Sequence, residues 1–238
     1  MLLVLTDSAL PLGSFAFSSG LESFIAHRRP KPTGPSEIQR FLTLSLASIS
    51  STTLPYVLTA HGQTKSLLAL DDELDASTLC QVTRKASIAQ GRALLGVWER
   101  SLVESVEVSA SNADIYEALT TFAKDFRRQE VDGFTRPIGH LPPLWGAVCR
   151  AMSVPATTAA YVYLFKHSQA VLSAAVRASA IGPYQAQTML ASKWLRVEIQ
   201  AALEADWMTE TQDAAQVVPV MELWTALHEK LYTRIFSS

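Results

Sequence analysis

Apolar residues recur along this chain at intervals of three and four positions. The clearest series steps by four, three and four residues through Ile115, Leu119, Phe122 and Phe126. Residues at this spacing share one face of an α-helix. The same spacing predicts two further helical faces, formed by Leu79, Val82, Ala86, Ala89, Ala93 and Val97, and by Leu190, Trp194, Val197, Ala201 and Ala205. No strand is needed to explain the pattern, which therefore predicts an all-α fold.

Other helices are predicted from less regular spacing and from start signals. Their approximate ranges are 20–26, 37–50, 54–70, 143–152, 157–176, 183 into the 190s, and 220–235. Ser19 with Glu22 and Ser36 with Gln39 each fit a capping box, in which the two side chains satisfy backbone donors of the first turn. The acidic patch at 71–75 is interpreted as a solvated connector.

The helices are expected to form one domain. The sequence contains no repeat with a period of 20–50 residues, and no shift in composition marks a boundary. We therefore predict a single-domain bundle of roughly ten helices over residues 1–238.

Composition narrows the possible partners. Hydrophobic residues make up 48% of the 238 residues and charged residues 18%, and the net charge is -2. A chain without a basic field is a poor nucleic-acid binder. Its high apolar content favours either a large core or an apolar surface for protein partners.

Neither a signal peptide nor a membrane span is predicted from the apolar runs. The first run is interrupted at Asp7, and the longest later run, 159–165, is far shorter than the ~20 residues that cross a bilayer. The expected location is the cytoplasm.

Motifs for catalysis or for a metal cage are missing from the sequence. The five histidines are scattered without HExxH spacing, the two cysteines do not form CxxC, and no GxSxG occurs. We therefore assign no catalytic residue and no metal ligand, and expect a protein that is not an enzyme.

One long stretch resembles a known family. The sequence DSALPLGSFAFSSGLE, residues 7–22, resembles the N-terminal signature of UreF-type urease accessory proteins. Further blocks that resemble the family follow in order at 90–95, 139–148, 173–190 and 228–238, so the resemblance covers nearly the whole chain.

The resemblance implies an all-α chaperone that helps to load nickel into apo-urease. Such a protein bridges a UreD/UreH-type scaffold and a UreG-type GTPase, influences GTP hydrolysis, and can be a homodimer. No cofactor is implied; nickel would be bound weakly or would pass in transit.

The resemblance also implies partner-binding residues in three places. They are Asp7, Ser8, Pro11, Gly13, Phe15, Ser18, Gly20 and Glu22 in the opening stretch, Gln187, and His228, Arg234 and Phe236 in a partner-binding C-terminal tail at about 228–238. Arg234 would supply a planar donor fork and Phe236 an apolar anchor. The residues alone also allow a plain turn at the start and a solvated helix end in the tail.

A second class of function stays open on the sequence alone. Helices rich in Trp, Tyr and Phe could line a pocket, so a helical bundle that binds or converts a small molecule is the alternative. A closed cavity with converging polar groups would favour it.

Overall fold

A computed structural model of the chain describes residues 2–7, 9–28, 34–62, 66–127 and 137–237. The described residues form eleven α-helices and no strand, so the all-α prediction is confirmed. The helices are α1 (Leu2–Thr6), α2 (Leu21–His27), α3 (Pro35–Gly62), α4 (Leu67–Ser77), α5 (Gln81–Val97), α6 (Ala113–Arg127), α7 (Leu141–Ala151), α8 (Ala156–Arg177), α9 (Pro183–Ala191), α10 (Lys193–Asp206) and α11 (Pro219–Leu227).

Short helical turns connect some of these helices. They are 3-10 turns at Ser14–Ala16, Val103–Ser105, Thr211–Asp213 and His228–Lys230, and a π turn at Trp98–Leu102.

The backbone divides into two compact units. The first unit comprises Met1–Leu12, Tyr56–Leu79 and Ser87–Ala160, and the second comprises Gly13–Pro55, Cys80–Ala86 and Tyr161–Ser238. The organisation of residues 1–238 as one domain with a partner-binding tail stays a prediction.

The core of the first unit centres on α7. Trp145 is buried and its indole N–H donates to the carbonyl of Ala159 at 3.0 Å. Gly146 faces α3 so closely that a Cβ there would overlap the carbonyl oxygen of Val57. Helix α6 packs on α7 with Ile115, Leu119 and Phe122 buried, the face predicted from their spacing.

The core of the second unit contains an aromatic cluster. Phe24 of α2 lies 5.1 Å from Phe41 of α3 and 4.8 Å from Trp224 of α11, measured between ring centroids. Such tilted and edge-on pairs add to the stabilisation from burial. The cluster packs α11 against α2, next to the opening stretch of the sequence.

The predicted break between helices 37–50 and 54–70 is wrong. Helix α3 continues through Pro55 to Gly62, and α4 begins only at Leu67. A proline inside a helix costs about 3 kcal/mol, but the neighbouring Leu54 and Tyr56 are both buried, and their packing offsets that cost. The Ser66 hydroxyl caps α4 by accepting from the N–H of Ala69 at 3.1 Å.

One of the predicted helical faces is wrong, and another is right only in part. In α10 the buried residues are Leu195, Ile199 and Leu203, whereas Val197 of the predicted face is 54% exposed. In the face predicted for α5, Val82 is buried, but Leu79 is 81% exposed and precedes the first residue of the helix, Gln81. Both predicted faces contain several alanines, whose small side chains define a buried side less sharply than large aliphatic ones.

The predicted last helix, 220–235, is too long. Helix α11 ends at Leu227, a 3-10 turn follows, and the residues after Lys230 are not helical.

By length and mean hydropathy, α3 is the one helix in the described part of the chain that could cross a membrane. Its apolar 18-residue window is 56% buried inside the fold, as in the core helix of a soluble protein.

Candidate functional site

The opening stretch forms a tight turn that leads into α2. Gly13 and Gly20 have φ values of 70° and 83°, in the left-handed region that glycine adopts without strain. Gly20 also contacts α11 closely, since a Cβ there would lie 2.9 Å from the hydroxyl oxygen of Thr225. Gly20 therefore allows the start of α2 to pack against α11.

The Glu22 side chain binds the tail of the chain. Its carboxylate accepts the backbone N–H of Ile235 at 2.7 Å and that of Phe236 at 3.2 Å, and Glu22 is only 8% exposed. The capping box predicted for Ser19 and Glu22 is therefore wrong. The first turn of α2 instead receives a weak bond, 3.5 Å long, from the N–H of Glu22 to the hydroxyl of Ser18.

His228 lies directly beside this carboxylate. The imidazole is 1% exposed, and its Nδ1 atom is 3.7 Å from a carboxylate oxygen of Glu22. Its Nε2 atom is 3.2 Å from the carbonyl oxygen of Phe236. Because a carbonyl can only accept, Nε2 must carry the hydrogen. Nδ1 has no hydrogen-bond partner.

Two further contacts fix the tail. The Phe236 ring is buried, and the guanidinium carbon of Arg177 lies 4.4 Å from its centroid, within the range of a cation–π interaction. The N–H of Ser237 donates to the carbonyl of Ala16 at 2.7 Å. We call the contacts of Glu22, His228 and Arg177 with residues 235–237, together with this bond, the tail clasp.

The docked tail presents apolar side chains to solvent. Tyr232 is fully exposed and Ile235 is 62% exposed. Phe15 is 68% exposed and precedes Ala16, which bonds the tail. The exposed Arg234 donates to the carbonyls of Leu231 and Glu229 at 3.4 and 3.1 Å.

The structure brings only part of the predicted site together. Glu22, His228 and Phe236 are in contact, and Ser18 and Gly20 are buried beside them in the same turn or at the start of α2. Asp7, Pro11 and Gln187 are exposed, and Ser8 lies outside the described residues.

A second cluster, in the first unit, was missed at the sequence level. Asp71 is completely buried, and its carboxylate accepts the backbone N–H groups of Ile138, Gly139 and His140 at 2.6, 2.9 and 2.7 Å. The interpretation of 71–75 as a solvated connector is therefore wrong. These residues belong to α4, where Asp71 follows the apolar Leu67 and Leu70; that apolar spacing could have identified them as helical.

His140 completes the cluster. It is buried, its Nε2 lies 2.9 Å from a carboxylate oxygen of Asp75, and its Nδ1 lies 3.0 Å from the hydroxyl of Ser87. Gly91 lets α5 approach, because a Cβ there would overlap the carbonyl oxygen of Gly139. We call Asp71, Asp75, Ser87, Gly91 and residues 138–140 the Asp71 clamp.

Among the described residues, no group of three or more His, Cys, Asp or Glu side chains is placed to hold a metal ion. Desolvation lowers the pKa of His61 and lowers that of His167 to about 4. The neutral form of His167 bonds the hydroxyl of Ser45 at 2.7 Å, as expected for a structural histidine.

Comparisons with known proteins agree on one family. Residues 33–193 match the family model described as UreF. A protein described as an uncharacterized urease accessory protein UreF-like from Schizosaccharomyces pombe is 30% identical over 99% of this chain and 95% of its own length. The urease accessory protein F of Arabidopsis thaliana is 30% identical over 98% of this chain and 90% of its own. The urease accessory protein UreF of Paenarthrobacter aurescens is 30% identical over 98% and 95%. The chain therefore belongs to the UreF family of urease accessory proteins.

Proposed function

We propose that this chain is a non-enzymatic chaperone of urease maturation that acts in nickel insertion into apo-urease. In this proposal it works in the cytoplasm, where it bridges a UreD/UreH-type scaffold and a UreG-type GTPase and regulates GTP-dependent nickel delivery. The supporting observation is membership of the UreF family, with relatives named as urease accessory proteins over almost the full length of the chain. It favours this function over the small-molecule-binding bundle.

The docked tail is the surface we assign to the scaffold. Tyr232, Ile235 and Arg234 are exposed on it, and Phe15 is exposed on the turn that bonds it. Tyrosine and arginine carry much of the binding energy in many protein interfaces. Exposed apolar side chains that are held in place by their own chain also cost less conformational entropy on binding.

Phe236 has a supporting part in this proposal. Its ring is already buried against its own chain and Arg177, so it fixes the tail while the exposed side chains contact the scaffold. The role of Phe236 as an anchor in the partner stays a prediction.

Nickel is the cargo of the assembled complex in this proposal. The described residues offer no preformed cage, so weak binding or transit is the form of nickel handling that we propose. A homodimer of the chain within the complex is part of the same proposal.

The first test is a pull-down with the purified scaffold and GTPase under reducing conditions. We expect a complex of all three proteins. Folded chain that binds neither partner would contradict the proposed function.

The second test locates the scaffold surface. Tyr232→Ala together with Ile235→Ala should weaken scaffold binding at least about tenfold, because both lie at the proposed centre of the interface. Met208→Ala is the matched control, since Met208 is 86% exposed in the same unit but outside the tail. Equal affinities for the two variants would exclude the tail surface.

The third test removes the tail. A chain that ends at Leu227 should keep its helical circular dichroism, because the tail adds no α-helix, and should lose scaffold binding. If the truncated chain is unfolded, the tail is a structural element and the interface assignment fails.

A further inference from the structure

The tail clasp leaves one buried polar atom unsatisfied. Nε2–H of His228 is committed to the carbonyl of Phe236, so a neutral ring has its lone pair on Nδ1. That lone pair faces the Glu22 carboxylate at 3.7 Å, and both residues are nearly excluded from water. Two electron-rich groups therefore face each other where a donor is needed.

A proton on Nδ1 resolves this arrangement. The imidazolium ring donates from both nitrogens, so Nε2–H keeps its bond to Phe236 and Nδ1–H is directed at Glu22. The ion pair also holds in place the carboxylate that accepts the N–H groups of Ile235 and Phe236. We propose that His228 is a proton-operated latch that holds the C-terminal tail docked when it is charged and weakens the tail clasp when it is neutral.

The other charged groups near the latch have partners of their own. Glu229, next in sequence, pairs with Lys85 at 3.9 Å on the exposed side. Arg177 lies over the Phe236 ring, and Arg234 bonds the carbonyl of Glu229. Glu22, from α2, is the one carboxylate in the described chain within ion-pair distance of the His228 ring.

The tail can detach without unfolding the rest of the second unit. Residues 231–237 contain no helix, and their described backbone attachments to the rest of the unit are the bonds to Glu22, His228 and Ala16. Segments with so few buried contacts open locally, at a lower free energy than global unfolding.

The latch has a consequence that rests on the proposed function. The segment that carries Tyr232 and Ile235 is bonded to the turn that carries Phe15 only while the tail is docked. If this surface binds the scaffold, scaffold affinity falls as the pH rises, because the neutral His228 ring favours the undocked tail.

The experiment uses the full chain alone, so its outcome does not depend on the scaffold. Backbone ¹⁵N relaxation of Ile235, Phe236 and Ser237 is measured at about pH 6 and about pH 8.5, which bracket the usual range of imidazole titration. We expect order parameters of about 0.85 at the lower pH and below about 0.6 at the higher pH. The midpoint should coincide with the change in the ring ¹⁵N shifts of His228.

His228→Gln tests the origin of the effect. A glutamine amide can still donate to the Phe236 carbonyl but takes up no proton, so its tail should show the same order at both pH values, whether high or low. His27→Gln is the matched control, because His27 is exposed on α2 and its hydrogen bond within the described part of the chain is to the carbonyl of Ser23. It should keep the response of the unmodified chain.

Two results would overturn the latch. One is equal order of residues 235–237 at both pH values in the unmodified chain. The other is a pH response of the same size in His228→Gln. Failure of scaffold binding with a normal pH response would instead overturn only the proposed function.

Discussion

Two buried carboxylates in this molecule each hold a distant backbone segment by accepting its N–H groups. Asp71 in the first unit accepts three consecutive backbone N–H groups, and Glu22 in the second unit accepts two. Each lies next to a buried histidine from the segment it holds. Both ring nitrogens of His140 have partners, whereas one ring nitrogen of His228 has none.

This difference indicates that the Asp71 clamp is permanent, whereas the tail clasp depends on the protonation of a histidine. The hydroxyl of Ser87, which bonds Nδ1 of His140, can donate or accept and therefore suits that ring whether it is neutral or charged. The Glu22 carboxylate and the Phe236 carbonyl face the two ring nitrogens of His228, and both can only accept, so only the charged ring can donate to both at once. A histidine in a fully satisfied network fixes a fold, and a half-satisfied one makes its neighbourhood depend on a proton.

A glycine permits close packing beside each of the two clusters. A Cβ at Gly91 would meet backbone of residues 139–141, which cannot move aside cheaply. A Cβ at Gly20 would lie 2.9 Å from the hydroxyl oxygen and 3.2 Å from the backbone nitrogen of Thr225, and the φ of 83° disfavours any other residue there.

The largest effect is expected at the Asp71 clamp. Asp71→Asn removes the buried charge and one acceptor oxygen from three backbone N–H groups, and should lower the free energy of unfolding by about 4 kcal/mol. Urea denaturation followed by circular dichroism measures this.

Asp72→Asn is the control for that substitution. Desolvation raises the pKa of Asp72, as do the charges of Asp71 and Asp75, so its ionised form is disfavoured in the fold. Removing this charge should leave stability at neutral pH unchanged or slightly higher. If Asp72→Asn lowered the free energy of unfolding as much as Asp71→Asn, the stabilisation could not be assigned to the hydrogen bonds of the Asp71 clamp.

The next effect concerns the close approach of α5. Gly91→Ala should cost about 3 kcal/mol, because its methyl group overlaps backbone. Gly96→Ala in the same helix meets only the end of the Arg100 side chain at 3.6 Å, and should gain about 0.5–1 kcal/mol from helix propensity. Thermal denaturation should show a lower melting temperature for Gly91→Ala and a higher one for Gly96→Ala. A change in the same direction for both variants would argue against close packing at Gly91.

The third effect is the loss of stability at acidic pH that follows from the desolvation of a buried histidine. The pKa of His167 is lowered from 6.5 to about 4, and its ring bonds a neutral hydroxyl, that of Ser45. Since the unfolded chain binds this proton more tightly, stability is present above pH 6.5 and is lost as the pH falls towards 4. From pH 7 to pH 5 the loss should be about 2 kcal/mol.

The measurement compares urea denaturation of the unmodified chain and of His167→Gln over this pH range. The variant should lack this part of the acid sensitivity. If the free energy of unfolding falls equally with pH in both proteins, His167 is not the cause of the acid sensitivity.

The smallest effect on global stability is expected at Glu22. Glu22→Gln should lower the free energy of unfolding by only about 1 kcal/mol, because the tail undocks locally, while amide hydrogen exchange at Ile235 and Phe236 should accelerate at least about tenfold. Glu37→Gln, which removes a partly exposed ion pair with Arg28, should leave that exchange unchanged. Slow exchange in Glu22→Gln would show that the carboxylate does not hold the tail.

The sequence was sufficient for the fold class because helical periodicity is local. The face of α6 was predicted correctly since Ile115, Leu119 and Phe122 are large and have polar neighbours. The face of α10 was wrong and that of α5 only partly right, because the alanines in both define a buried side less sharply than large side chains do.

The two clusters could not be predicted from nearby sequence. Asp71 bonds residues that lie 67 to 69 positions away. Because these partners are absent from the nearby sequence, Asp71 together with Asp72 and Glu73 resembled a solvated acidic patch. Glu22 looked like a capping residue for the same reason, because its partners are 213 and 214 positions away. Local spacing indicates which residues are helical, and only the assembled fold shows which carboxylates it encloses.

The distance along the chain between Glu22 and its partners has a consequence for biosynthesis. At about 5–20 residues per second, a ribosome needs roughly 10 to 40 s to travel from Glu22 to Ile235. During that time the carboxylate has no tail to bind and stays hydrated in the nascent chain. The docked tail is therefore one of the last contacts to form, and its presence distinguishes chains that have been translated through this region from those that have not.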